Sequence, residues 1–436
     1  MGLMASSAAP VSSLLTAYQT GTTDPVTECR GALKRANGNA SRNTYIARDH
    51  DWTLAEATRQ SARSVSGETI IPLLGVPVSL KDCFDLAGFP TSSGSKFYAT
   101  RNSNAPSDSW VVARLRAAGA VITGKTHLHQ LAYGITGENP DYGDCLQPAD
   151  AHLLSGGSSS GAAASIQEGS ALAAIGTDTG GSVRVPAALC GLAGYRASLG
   201  VGSWGGGSHL APSFDTIGWL FRDLRDAPLL AEALFDLPVE RATPRRMRIG
   251  ALAGPLIEDC DDAVLHSMQV WKDRLLRAGA SLDTFNPSFW TGTWDIYAPI
   301  QAHEAAQLHR GFFPEFEPGI AARLAWGASL GEDTLRELRT RLAAYRASIS
   351  RLFDQFDFLL APATPVSRLV AGADHTETRA RILRHTTPAS LAGLPAVVLP
   401  SPACGVQLMA AHNDDRRLLR FAAFLGTDFA IESRDA

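Results

Sequence analysis

Two short runs, Gly156-Gly157-Ser158-Ser159-Ser160-Gly161 and Gly176-Thr177-Asp178-Thr179-Gly180-Gly181-Ser182, sit on either side of one helix-sized segment, and Lys81 closes a strand-like stretch upstream. These residue types suit the hydrolysis of an amide or ester without a histidine. An activated hydroxyl attacks the carbonyl, a base takes the hydroxyl's proton, and fixed donors hold the oxyanion that develops. Ser182 supplies the hydroxyl. Successive N–H groups from Thr179 through Gly180 and Gly181 to Ser182, unshielded by side chains at the two glycines, suit an oxyanion hole.

The surrounding pattern predicts how these groups are held. Val76, Val78 and Leu80 alternate along a strand, which leaves Lys81 at its end on the face opposite Leu80, where an amine can enter a cleft. Ala162 to Glu168 suits a helix stopped by Gly169, and Ser170 to Ile175 suits a strand ending at Gly176. The second run then forms a turn before a helix that Pro186 can begin. Further along, Trp52 to Val65 and Asp108 to Ala118 look helical, the second ending at Gly119. Val264, Met268, Trp271 and Leu275 form one apolar stripe. Leu335, Leu338, Leu342, Tyr345, Ile349 and Leu352 form another, leading into a strand over Phe356 to Leu360. Alternating helices and strands predict an α/β protein. We expect one unit over residues 1–436, mainly helical over 1–65, with a core over 66–235 and 245–436 connected through the Pro, Asp and Arg cluster from Asp236 to Arg248.

Three other motifs match by letter and fail on context. Gly119-Ala120-Val121-Ile122-Thr123-Gly124-Lys125-Thr126 fits a phosphate loop, but Ala120 to Thr123 are apolar or β-branched and predict a strand whose N–H groups are spent in a sheet. Gly200-Val201-Gly202-Ser203-Trp204-Gly205 fits a dinucleotide fingerprint, but Gly206, Gly207 and Pro212 follow where a helix is needed, so a surface loop is expected. Gly157-Ser158-Ser159-Ser160-Gly161 fits a nucleophile elbow, which would put Ser159 in charge and require His209, His385 or His412. The preceding Gln147 to Leu154 is too polar and Pro-broken for the buried strand an elbow demands. His127 and His129 are two apart, which suits neither one helix face nor a metal site, so no metal and no cofactor are expected.

Composition narrows the partners. A chain of 436 residues, 45% hydrophobic and 19% charged, can bury a large core, and a net charge of −4 offers no basic footprint for nucleic acid. Cys29, Cys83, Cys145, Cys190, Cys260 and Cys404 show no framework spacing and read as buried small hydrophobes of a reducing compartment. Without a signal-like or membrane-length apolar run, a soluble cytoplasmic protein is expected, with no membrane partner. Met1-Gly2-Leu3-Met4-Ala5-Ser6 also fits a myristoylation pattern.

At the chemistry-bearing residues the chain resembles the amidase signature family. The resemblance rests on Gly75-Val76-Pro77-Val78-Ser79-Leu80-Lys81-Asp82, on Gly156-Gly157-Ser158-Ser159, and on Gly176 through Ser182 to Val183-Arg184-Val185-Pro186. It continues through Gly119 to Thr126, Phe358 to Pro365 and Thr387 to Pro395. It implies a three-layer α/β/α domain with a central mixed sheet, and a Ser-cisSer-Lys triad carried by Ser182, Ser158 and Lys81, the Gly157–Ser158 bond being cis. Neutral Lys81 would take a proton relayed through Ser158 while Ser182 attacks. Free lysine is unprotonated in only about one molecule in a few thousand at neutral pH, so burial must lower its pKa. Asp178 and Arg184 would brace the loop, Asp215 would organise a loop or contact substrate, and Tyr133 and Ile135 would line the acyl pocket.

The expected substrate is a small amide, with carbamates or esters as further candidates. The glutamyl-tRNA amidotransferase A chain, which works with partner chains, is the first alternative. It usually shows an Asp-Glu-Phe-like run where this chain has His129-Gln130-Leu131, and Gln and Leu-Lys-Pro where this chain has Val185 and Gly194-Tyr195-Arg196. A nucleotide-binding protein using Gly119 to Thr126 is the second. Val185 replaces an arginine that branches handling carboxylated amides can place there, which favours a neutral or apolar acyl group. Ala132 to Asn139 and Ser213 to Trp219 resemble the plant indole-acetamide amidase branch, implying an aryl amide. A homodimer is left open.

Overall fold

The protein was analysed as a computed structural model that describes residues 9–65, 71–239 and 246–432. The Met1 to Ser6 pattern and part of the Asp236 to Arg248 connection lie outside them. Eleven strands are described: β1 (Tyr45–Ala47), β2 (Pro77–Lys81), β3 (Val121–Thr126), β4 (Ala173–Asp178), β5 (Ala193–Arg196), β6 (Thr216–Phe221), β7 (Arg248–Leu252), β8 (Ser281–Phe285), β9 (Phe358–Pro362), β10 (Ala396–Leu399) and β11 (Val406–Met409). They form one mixed sheet in the order β1-β3-β2-β4-β6-β5-β10-β11-β9-β7-β8. Strands from both sides of the Asp236 to Arg248 connection share it.

The sheet is apolar on both faces, as an α/β fold with flanking helices requires. Along β9, Phe358 and Leu360 join one buried cluster while Leu359 and Ala361 join another, so successive side chains feed opposite layers. The Val264, Met268, Trp271 and Leu275 stripe is buried on the helix Asp262–Arg277, and Leu335 to Ile349 on the helix Glu332–Ser350. All six cysteines are buried and unpaired. No helix among the described residues is long and apolar enough to cross a membrane.

Several boundaries differ from those expected of the sequence. β4 runs from Ala173 to Asp178 instead of stopping at Gly176, because β6 pairs with it from Ala173↔Phe221 through Asp178↔Thr216. β9 begins at Phe358, since the Phe356 N–H is still engaged by the Leu352 carbonyl at the end of a short helix. The helix after Ser182 starts at Arg184, two residues before Pro186. For the site, the decisive pairing is the parallel one of β2 with β4, in register at Leu80↔Ile175. It brings the carboxyl ends of both strands, with Lys81 and the Thr177 to Ser182 run, to the same end of the sheet.

Candidate active site

Lys81 ends β2 with its side chain fully buried. Its Nζ donates to Ser158 Oγ at 2.9 Å and to Thr177 Oγ1 at 2.7 Å. No carboxylate pairs with it among the described residues. Burial pushes the amine down to about 8, while the acidic groups of Cys83, Asp178 and Asp215 act weakly the other way. Thr177 carries no signal of its own in the sequence, although it lies inside the second run; the extension of β4 through it fixes its hydroxyl beside the amine.

Ser158 follows a cis peptide bond, Gly157–Ser158, just before the helix Ser160–Glu168. The next residue ties this loop to the other one, because the Ser159 N–H donates to the Ser182 carbonyl at 3.1 Å. Ser158 and Ser182 are both buried, yet their hydroxyls are not hydrogen-bonded to each other in this arrangement. Contacts of this kind often tighten only around a substrate. Ser159 itself is spent on backbone. Its hydroxyl donates to the Thr177 carbonyl at 3.2 Å and accepts from the Thr177 N–H at 3.4 Å.

The turn carrying Ser182 is built around Asp178. This fully buried carboxylate accepts from Arg184 Nε at 3.0 Å and Nη2 at 2.9 Å, and from Arg196 Nη1 at 2.8 Å. It also accepts from the N–H groups of Gly181, Val183 and Arg184. Burial alone would raise its pKa; the two guanidiniums overcome that and hold it below the usual carboxylate range. Arg184 reaches on to the Thr386 carbonyl, Gln407 and Ser390, which locks the turn to distant chain. The Gly181 N–H, expected in an oxyanion hole, donates to Asp178 Oδ1 at 2.9 Å in this arrangement. The N–H groups of Thr179, Gly180 and Ser182 have no acceptor among the described residues and are available to an incoming oxygen. Gly181 adopts φ +125°, and a Cβ there would lie 2.8 Å from Thr386, so only glycine fits this turn.

Residues 29–419 match the family model described as Amidase. The chain belongs to the amidase family. It is 32% identical over 422 residues to AtzE of Pseudomonas sp. (strain ADP), one of the chains of a 1-carboxybiuret hydrolase, covering 87% of this chain and 89% of that one. It is 30% identical over 433 residues to the glutamyl-tRNA(Gln) amidotransferase A chain of Prochlorococcus marinus, again over 87% and 89% of the two chains. A solved structure, reported as a vestigial protein complex revealing the origins of an s-triazine catabolic enzyme, has a TM-score of 0.88 at 29% identity. It covers 96% of this chain and 98% of its own. The chain is thus an amidase signature enzyme, a hydrolase of C–N bonds.

A small cavity opens beside Ser182 of this amidase-family chain. Thr179 and Gly180 line it, as do Tyr133 and Ile135, which the resemblance implied, and Leu210, Tyr297, Gln301, Arg379 and Leu383, which the sequence reading missed. Ile135 is also core, in one cluster with Val185 and Leu189. Tyr297 and Gln301 are one turn apart on the helix Trp294–Leu308, a spacing visible in sequence but without a sign that it faces the site. Gln301 Nε2 donates to Tyr297 Oη at 2.7 Å, and a Cβ on Gly180 would lie 2.3 Å from that oxygen. The phenol thus sits over the Ser182 turn, and burial keeps it protonated. Asp215 accepts from Thr179 Oγ1 at 2.6 Å, His209 Nδ1 at 2.9 Å and the N–H groups of Leu210 and Ala211, so it organises its loop and clamps the turn.

The competing motifs are absorbed by structure in this amidase scaffold. Val121 to Thr126 of the phosphate-loop match forms β3, every residue of which is buried, and Lys125 Nζ pairs with Asp82 at 2.6 Å and with the Pro90 carbonyl and Thr91. No phosphate can reach that ammonium. Gly200 to Gly205 is a loop between β5 and β6. His127 Nε2 lies 2.8 Å from the Gly143 carbonyl, and His412 Nδ1 lies 2.9 Å from that of Gly393.

Proposed function

We propose that this amidase-family chain hydrolyses a small amide through an acyl-enzyme on Ser182, with Lys81 as base and Ser158 as relay. The observation that carries this reading is the fully buried Lys81 amine, 2.9 Å from Ser158 Oγ and pushed down to about 8. Neutral Lys81 draws the Ser158 proton as Ser158 takes that of Ser182, and Ser182 Oγ adds to the carbonyl carbon. The N–H groups of Thr179, Gly180 and Ser182 receive the oxyanion. Collapse expels the amine, which takes its proton back through the same relay, and water releases the acyl group.

The test is labelling with a fluorophosphonate followed by peptide mapping. Label on Ser182 that is lost in Lys81→Ala supports the triad. Label on Ser159 refutes it and revives the nucleophile elbow. The likeness to an amidotransferase chain supports a second reading, in which the same triad works only within a complex. Copurified partner chains, with activity confined to their presence, would favour that reading.

A further inference from the structure

Among the described residues, Arg379 is the only charged side chain lining the cavity beside Ser182. It stands on the helix Thr376–Ala392, four residues before Leu383, which lines the same cavity, and seven before Thr386, whose Oγ1 donates to the Gly180 carbonyl. This spacing puts all three on the face of the helix that packs on the nucleophile turn. Its neighbours on the same helix are occupied. Arg381 pairs with Asp259 at 3.1 Å and Arg384 with Asp259 at 3.3 Å. The Arg379 guanidinium, by contrast, makes no hydrogen bond or ion pair with any described residue.

The charge around the cavity is unbalanced. Arg323 stacks over the Tyr133 ring, 4.1 Å from its centroid, and donates to the Tyr133 carbonyl at 2.9 Å. Burial, and next the charge of Arg379, push Arg323 down to about 10. No carboxylate among the described residues pairs with either cation. Asp178 is engaged by Arg184 and Arg196 and Asp215 by Thr179 and His209, and Glu317, whose charge acts on both Arg323 and Arg379 from a distance, forms no ion pair with either. A guanidinium held unpaired beside a nucleophile matches the planar fork of a carboxylate.

We propose that Arg379 is a specificity-determining residue that binds a substrate carboxylate, so that the preferred substrates are small amides carrying a second, anionic carboxyl group. This replaces the neutral or apolar acyl group expected from Val185, because the positive charge enters from a helix nearly two hundred positions further along the chain. The inference rests on the Ser182 acyl-enzyme reading. With no free carboxylate among the described residues lining the cavity to receive an ammonium, a half-amide such as succinamate suits the site better than a zwitterionic amino-acid amide.

The experiment uses the full chain and measures how well succinamate, butyramide and asparagine protect Ser182 from fluorophosphonate labelling, alongside their hydrolysis. In the native protein succinamate should protect at concentrations roughly 10- to 150-fold below butyramide, the range carried by a charge-assisted hydrogen bond. Asparagine should fall between them. Arg379→Gln should collapse the succinamate-to-butyramide ratio toward one, Arg379→Lys should keep part of it, and Arg381→Gln should leave it unchanged. Equal protection by succinamate and butyramide in the native protein, with Ser182 still labelled, overturns the carboxylate assignment alone. A native ratio that survives Arg379→Gln in folded protein also overturns it. Absence of label on Ser182 overturns both this assignment and the acyl-enzyme reading.

Discussion

Labelling of Ser182 should follow the neutral fraction of Lys81, and the structure sets where that fraction changes. With the amine pushed down to about 8 by burial, about one molecule in eleven carries the neutral base at pH 7, about half at pH 8 and about nine-tenths at pH 9. The second-order rate of fluorophosphonate labelling should therefore rise about tenfold from pH 7 to 9 and then level. A lysine at its ordinary value near 10.4 would instead drive a rise of about a hundredfold over the same interval, with no plateau before pH 10. Thr177→Val removes the acceptor 2.7 Å from Nζ. Because that contact favours the ammonium, its loss should move the inflection to lower pH. Rates measured from pH 6 to 10.5 at constant ionic strength decide the matter. A rate that climbs with unit slope past pH 10, or that is flat from pH 6 to 9, refutes Lys81 as the base.

Three further outcomes are expected. Lys81 is protonated less readily in the folded chain than in the unfolded one, so between about pH 8 and about pH 10.5 the unfolded state binds more protons at this group and its contribution to stability rises with pH. Burial raises the thiols of Cys83 and the other buried cysteines, which act in the opposite direction in both proteins, so the Lys81 contribution is read as a difference: the native urea midpoint should gain on that of Lys81→Met as pH rises across that window. Asp178→Asn leaves the fully buried Arg184 and Arg196 without a counter-charge, which should cost about 3 to 5 kcal/mol in urea unfolding at pH 7; a loss below about 1 kcal/mol would mean that other groups satisfy both guanidiniums. Gly180→Ala sets a Cβ 2.3 Å from Tyr297 Oη, so Ser182 labelling should slow about a hundredfold in a protein that still folds. An unchanged rate would show that Tyr297 yields without moving the turn.

Much of the site is legible in sequence because its parts are local. The alternation from Val76 to Leu80, the helix between the two runs and the strand character of Ala120 to Thr123 all follow from residues within a few positions of one another. The differences arise where distant chain intervenes. β4 gains Thr177 and Asp178 through its ladder with β6, and the Gly181 N–H is drawn to Asp178, which Arg184 and Arg196 orient. Val185 is apolar and buried, but it carries no information about Arg379, which looks in sequence like its paired neighbours Arg381 and Arg384.

The sequence by itself determined which groups could react: Lys81 at a strand end, Ser158 and Ser182 in glycine-bordered turns, and the strand and helix periods that hold them. Periodicity and turn chemistry are properties of short stretches, so they can be read before anything folds. The tertiary structure alone decided what those groups can do. Burial moves Lys81 toward neutrality, Arg196 joins Arg184 in neutralising Asp178, Tyr297 covers Gly180, and Arg379 charges the cavity. Desolvation and charge pairing depend on what packs against a group from remote parts of the chain. Only the folded sheet and the helices around it bring those parts together.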